Sequence, residues 1–163
     1  MKCIIATDMY NGIGKNNTLP WKNTNDLKRF RELTENSTML MGAKTFFSLP
    51  INKRPLPGEH RKSIVLTFDP YAHKFENYKS CKNLQIMTID QFNETYTKDE
   101  QNEMMLIGGS QMFNLFFEDI HTLYLTVILG NYHCDTFVKM NVEDWKIYKH
   151  EKYEDSEYFI LKK

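Results

Sequence analysis

Short apolar runs separated by glycine-led breaks set the pattern of this chain. The first run, residues 2–7 (KCIIAT), carries β-branched residues and is predicted to be a buried strand. Residues 38–41 (TMLM), 63–67 (SIVLT), 104–107 (MMLI) and 123–129 (LYLTVIL) predict further strands. Residues 75–80 and 84–87 are weaker strand candidates set between polar turn residues. Residues 145–153 and 158–161 alternate enough to form a closing antiparallel pair. Leu27, Phe30 and Leu33 recur at helical spacing behind Thr24 or Asn25, either of which can cap a helix. Phe46, Phe47 and Leu49 suggest a second, short helix. Residues 88–92 open a third, and Met112, Phe113 and Phe116 form the inner face of a fourth. Residues 50–60 (PINKRPLPGEH) are proline-rich loop, and residues 98–103 read as a charged, solvated link. Strands alternating with short helices predict one α/β domain over residues 1–163, its sheet mainly parallel with an antiparallel end.

Glycines mark the breaks that matter for chemistry. Gly12-Ile13-Gly14 follows the first strand and lets the backbone approach something closely. Beyond Lys15 comes Leu19-Pro20-Trp21, a stiff apolar step in which Pro20 fixes its own φ and pushes Leu19 towards an extended conformation. Gly42 leads from the second strand into Ala43-Lys44-Thr45 and a helix. Gly108-Gly109-Ser110 repeats that plan. Backbone N–H groups at such a helix start can receive a phosphate, although each turn is equally an ordinary strand-to-helix connection. A lone Gly-Gly is weak evidence. Two such turns in one small domain suit a dinucleotide, whose phosphates lie in more than one place.

Asp26 is the unusual residue of the first helix. Asp26, Phe30 and Leu33 stand at i, i+4 and i+7, on one stripe, while Lys28, Arg29, Arg31 and Glu32 occupy the outer arc. A carboxylate therefore lies on or beside the face to be buried. It is either a first-turn acid that complements the helix dipole with its head in water, or a carboxylate held at the end of an apolar pocket for a polar ligand. Thr126 is likewise one polar group on a buried strand and needs a partner.

Composition narrows the classes. Aromatics at 13% and nine Met exclude a disordered chain, and a formal net charge of zero with scattered basic residues gives no nucleic-acid stripe and no membrane-binding tail. Cys3, Cys81 and Cys134 are odd in number and far apart, so neither a disulfide framework nor a zinc site is expected. His60, His73, His121, His133 and His150 form no metal-binding pair. A reducing, cytosol-like compartment is the default, since the first apolar run is too short for a signal peptide or a membrane span.

Taken in order, Ile13-Gly14, Leu19-Pro20-Trp21, Asp26-Leu27 with Phe30, Met41-Gly42 with Thr45, Pro55-Leu56-Pro57-Gly58, Ile107-Gly108-Gly109, Tyr124-Leu125-Thr126 and Asp135-Thr136 resemble dihydrofolate reductase over essentially the whole chain. The resemblance implies a central eight-stranded mixed sheet flanked by helices, NADPH as cofactor, dihydrofolate as substrate and antifolates as inhibitors. It also implies a cytoplasmic monomer. Asp26 matches the family's single buried acid, Thr126 the hydroxyl that bonds acid and pterin, and Trp21 the residue that helps hold a water beside the acid. Ile5, Ala6, Leu27, Phe30, Leu49, Leu56, Ile107 and Phe113 match apolar walls, which are also core. The family's cofactor surface maps onto Ala6, Ile13, Gly14, Lys15 and Leu19, then Gly42, Ala43, Lys44 and Thr45, then Leu66 and Thr67. It ends on Gly108, Gly109, Ser110, Gln111, Met112 and Phe113. Counting back from Thr67 selects Arg61, over Arg54 and Lys62, to hold the carboxylate of the substrate's glutamate tail. Residues 12–21 would form a mobile lid hinged on its glycines. The chain departs from the family at Ala43 and Phe68, where polar or basic residues are usual, at Gln111, where some members have Arg, and at Phe113, where Tyr is common. Glu59-His60 is an insertion. A pyrimidine reductase of the same fold would lack the Leu-Pro-Trp step with its following acid, and a non-catalytic module would have no use for Trp21, Asp26 and Thr126 together.

Overall fold

A computed structural model describes residues 1–163. It runs β1 (Lys2–Asp8), β2 (Gly12–Gly14), α1 (Thr24–Thr34), β3 (Thr38–Gly42), α2 (Ala43–Ser48), β4 (Lys62–Leu66), β5 (Leu84–Met87) and α3 (Ile89–Thr95). It continues with α4 (Lys98–Glu103), β6 (Met105–Gly108), α5 (Ser110–Phe116), β7 (Thr122–Ile128), β8 (Thr136–Phe137), β9 (Lys146–Lys152) and β10 (Ser156–Lys162). Eight strands form one sheet in the order β5-β4-β3-β6-β1-β7-β10-β9, and β2 pairs with β8 apart from it. The six strands from β5 to β7 run parallel; β10 is antiparallel to β7, and β9 to β10. This is the mixed, mostly parallel sheet with antiparallel C-terminal strands that the sequence implies.

Side-chain alternation along the strands divides the interior in two. Leu40, Ile64, Leu66 and Leu106 join Phe92, Phe113 and Leu123 in one cluster. Their sequence neighbours Met39, Met41 and Val65 join Phe46 and Phe75 in the other. Both faces of the central strands are therefore covered, which is why those strands read as unbroken apolar runs. Because the strands from β5 to β7 are parallel, Asp8, Gly42, Leu66, Gly108 and Ile128 all end at one edge of the sheet. Ligands of open α/β sheets bind beyond that edge.

Three local expectations are corrected. Residues 75–80 are not a strand: His73–Tyr78 is a 3-10 helix that buries Phe75. Residues 98–103 are not loop but α4, whose polar sequence carries no apolar period yet whose start is a complete capping box between Thr97 and Glu100. Helix α1 is capped by neither Thr24 nor Asn25. The Asn23 side chain takes the N–H of Asp26 at 2.9 Å, and Asn23 is itself buried.

Thr97→Ala removes the acceptor of that box at the start of a helix whose other ties run through Lys98, Gln101, Asn102 and Glu103. We expect a loss of about 1 kcal/mol of stability, read as a lower urea midpoint at unchanged slope. A midpoint equal to that of the parent would show that α4 is held by its neighbours alone.

Candidate active site

At the C-terminal edge, β3 and β6 lie side by side, with Met41 opposite Gly108. The two glycine turns are thus brought together, and their glycines are required by contact as well as conformation. Gly108 has φ +129°, and a methyl group on Gly109 would stand 3.1 Å from Thr45 Oγ1. A methyl group on Gly42 would meet Met112 Cγ at 3.2 Å. Helices α2 and α5, which leave these turns, start without a side-chain cap. Helices α1, α3 and α4 are capped by Asn23, Thr88 and Thr97. The first N–H groups of α2 and α5 therefore lack the side-chain acceptor that the other helix starts have. Thr45 and Ser110 carry hydroxyls beside these groups. Lys44 and Gln111 are exposed, while Ala43 and Thr67 are half-buried. Phe68 projects fully into solvent.

Asp26 lies in the first turn of α1 and is half-buried. Its surroundings come from β7 and β1, since Ala6 pairs with Thr126 and Ile5 with Leu125. Burial pushes the Asp26 carboxyl up from its ordinary range, while the Thr126 hydroxyl and the Arg29 guanidinium pull it back in part. No salt bridge neutralises it. Trp21 is buried nearby in sequence, edge-on to Tyr132 at 5.3 Å, and its indole N–H has no protein acceptor. A carboxylate, a hydroxyl and free N–H donors around apolar walls make a site that can hold a flat heterocycle carrying both donors and acceptors.

Comparison with known proteins agrees with this geometry. The family model for dihydrofolate reductase matches residues 1–161. The chain belongs to the dihydrofolate reductase family. Among similar proteins, the dihydrofolate reductase of Haemophilus influenzae is 35% identical over 145 residues, covering 88% of this chain and 82% of that one. That of Aedes albopictus is 29% identical over 158 residues, covering 91% and 83%. A solved structure of the Enterococcus faecalis enzyme, complexed with NADP(H) and RAB-propyl, superposes with a TM-score of 0.76 at 26% identity, covering 99% of this chain and 94% of that one. As a family member the protein is an NADPH-dependent dihydrofolate reductase. No helix is long and apolar enough to cross a membrane.

The reductase's apolar candidates divide between the two clusters. Phe30, Leu49, Leu56 and Ile107 pack on one, with Leu56 buried and the others part-exposed. Ile5, Ile13, Leu66, Met112 and Phe113 belong to the other. Phe113 is 1% exposed and packs on Phe117, so it stands behind the surface rather than on it. Leu19 and Leu27 are more than half exposed, as residues at an open rim are. Arg61 is buried, and its side chain donates to three backbone carbonyls: Nε to Thr34 at 3.3 Å, Nη1 to Pro57 at 2.8 Å and Nη2 to Arg31 at 2.9 Å. Those bonds fix the guanidinium against the end of α1 and leave two of its N–H groups uncommitted.

The first loop differs from its expected form. Gly12–Gly14 is the strand β2, paired with β8, and positive φ falls instead on Asn11, Asn16 and Asn17. Gly12 is needed for room, because a methyl group there would stand 2.5 Å from Cys134 Cβ. Asp8, which sequence reading passed over, is buried at the root of this loop. It accepts from the N–H groups of Tyr10 at 2.8 Å, Gly12 at 2.9 Å and Tyr132 at 3.3 Å. Burial alone would raise its carboxyl, but these donors and the Cys134 thiol hold it below the usual range. A lone Asp closing an apolar strand before a glycine was the available signal. Arg29 was also missed. It turns inward from the supposed outer arc and donates from Nη1 to Thr126 Oγ1 at 2.9 Å. The signal was its place one turn after Asp26.

The two carboxylates act on stability in opposite senses. Asp8, depressed in the fold, contributes stability present above the unfolded carboxylate value of about 4 and lost as pH falls through the lower folded value. Asp26, raised in the fold, costs nothing below about pH 4; its cost grows as pH climbs to the folded value and is constant above it. Asp26→Asn should therefore melt higher than the parent at neutral pH, the gain vanishing in acid. Asp8→Asn should melt lower at neutral pH. Thermal melts of the ligand-free enzyme across this range check both signs.

Proposed function

We propose that, within the family's NADPH-dependent reduction of dihydrofolate, Asp26 orients the pterin and favours protonation of N5 by solvent water. The observation that carries this reading is a half-buried, unpaired carboxyl beside the Thr126 hydroxyl. Asp26 would accept hydrogen bonds from the pterin's ring N–H and amino group, and Thr126 would bond both acid and pterin. The uncommitted Trp21 N–H suits a water beside the acid. When bound, the reduced nicotinamide supplies the hydride that goes to C6. Protonation of N5 places positive charge on the N5–C6 imine and makes C6 the better hydride acceptor, so a fixed negative charge nearby favours that protonated form and lowers the barrier. Asp26 does not touch N5 in this reading; water delivers the proton. The walls formed by Ile5, Ala6, Leu27, Phe30, Leu49, Leu56 and Ile107 would exclude bulk water and align the ring.

The glycine cradle of Gly42, Gly108 and Gly109, with Thr45 and Ser110, fits the linking phosphates of the dinucleotide: two helix starts are brought together there and neither has a side-chain cap. Ala6, Ile13, Gly14, Lys15, Leu19, Leu66 and Met112 complete the cofactor side, and Phe113 packs behind them. Ala43, Phe68 and Gln111 carry no charge toward a 2′-phosphate. Lys44 and the Thr67 hydroxyl remain, worth about 1.5–3 kcal/mol together as charge-assisted bonds. That amounts to roughly a ten- to hundred-fold preference for NADPH over NADH.

Two variants test the substrate side. Asp26→Asn should fold and lose about 2–4 kcal/mol of transition-state stabilisation at neutral pH, partly recovered in acid, where N5 protonates unaided. The assay follows the loss of reduced-nicotinamide absorbance with dihydrofolate as acceptor, and near-parental turnover would sink the assignment. Arg61 would hold the α-carboxylate of the substrate's tail through its two free N–H groups, as bidentate pairs do. Arg61→Leu should raise the KM for dihydrofolate and spare that for NADPH. Because the change also strips three carbonyls of their donor, the deciding readout is a pterin without the tail: equal loss of affinity for both acceptors would refute the role.

A further inference from the structure

Arg29 is a cation built into the pterin side of the enzyme. Its guanidinium lies 3.6 Å above the centre of the Tyr158 ring and 5.7 Å from that of Tyr153. Nη1 donates to Thr126 Oγ1 at 2.9 Å, and Nη2 reaches Tyr153 Oη at 3.5 Å. We propose that Arg29 is a positioning residue for the reaction, pinning the Thr126 hydroxyl beside Asp26 and setting the net charge that this corner presents to the substrate. This rests on the reading of Asp26 as the pterin acid.

The hydrogen-bond bookkeeping supports it. A hydroxyl has one proton and two lone pairs. With Arg29 donating to the Thr126 oxygen, the hydroxyl proton is left for an acceptor, and Asp26 is the carboxylate beside it. The charges around Arg29 do not cancel it. On β10, Tyr158 is kept neutral by burial, its phenol pushed up to about 12, so it offers a π face and no anion. On β7, Tyr124 lies near Tyr158, and Thr126 is uncharged. On α1 itself Glu32 stands three residues on and is exposed, and from β9 Glu151 feels Arg29 but is already bonded by Lys149 at 2.7 Å and by the Tyr153 hydroxyl at 2.8 Å. Arg29 therefore keeps a positive field on Asp26 without forming an ion pair with it. A direct pair would occupy the carboxylate oxygens that the pterin needs.

Removing a cation raises every titration near it. The free enzyme's Asp26 carboxyl, followed by carbon NMR with labelled aspartate and assigned by its loss in Asp26→Asn, should titrate at higher pH in Arg29→Met and near the parental value in Arg29→Lys. In single-turnover hydride transfer, the fall in rate at high pH, where substrate N5 loses its proton, should move to higher pH in the same variants. KM for NADPH should stay unchanged. Arg29→Gln keeps a donor for Thr126 and a stem on Tyr158 but no charge, so it should match Met and replaces it if Met does not fold. An Asp26 titration that stays or falls in the charge-free variants, or moves equally in Arg29→Lys, overturns the proposal. The Asp26 reading fails separately, through an active Asp26→Asn enzyme, whereas the NMR coupling is measured without turnover.

Discussion

A carboxylate that loses water tends to recover its proton unless a cation or hydrogen-bond donors compensate, and much of this structure turns on how Asp26 is held between those outcomes. Full burial without partners would leave a neutral acid. A salt bridge would leave a charged but occupied one. The fold instead places the nearest cation, Arg29, against Thr126 and the Tyr158 face, and leaves Asp26 half-buried with no ion pair. The start of α1 has to be fixed for this to hold. Asn23 does so by capping the helix on the Asp26 N–H while its own amide reaches Ser156 Oγ on β10 at 3.5 Å. The helix that carries the acid is thereby tied towards the strand that carries Tyr158.

The parallel sheet provides the other half. Register puts Ala6 beside Thr126 and Met41 beside Gly108, so the acid's neighbourhood and the glycine cradle open along one edge. The pattern of caps follows the same division of labour. Helices away from the cradle satisfy their first N–H groups with their own side chains, whereas α2 and α5 start from glycines with no side chain to offer. Each uncapped start is a small loss of intrinsic helix stability at the place where an anionic ligand gives the most in return.

Much of this was legible in the sequence because it is local. Apolar runs gave the sheet strands, glycines gave the turns, and the Asp26–Phe30–Leu33 stripe exposed an acid on an inward face. What escaped depended on partners far along the chain. Pairing of Gly12–Gly14 with Thr136–Phe137 has no local pattern, so a strand looked like a turn. Arg29 looked like a solvated charge because nothing nearby in sequence announces Tyr158 and Thr126. Helix α4 escaped for the opposite reason: its caps are local, but a six-residue polar helix has no apolar period to see.

The loop from Asp8 to Trp21 shows how a correct emphasis can rest on the wrong physical cause. Glycines were expected to supply freedom, yet Gly12 is enclosed by Cys134 and paired with β8, while the left-handed conformations fall on asparagines. Asn tolerates that region better than most residues because its short polar side chain bonds locally. The loop is fastened at both ends. Asp8 gathers N–H groups from Tyr10, Gly12 and Tyr132 at its root, and Asp135 takes the Asn16 N–H at 2.9 Å at its far side. Asp8 and Asp135 are both depressed acids, so acidification weakens both fastenings together. Movement of the segment over the site would have to break the Asp135 bond and the β2–β8 pairing while leaving the Asp8 root intact. The Asn16–Asn17 turn is thus held against β8 by paired backbone and by the Asp135 carboxylate, and not left loose by its glycines.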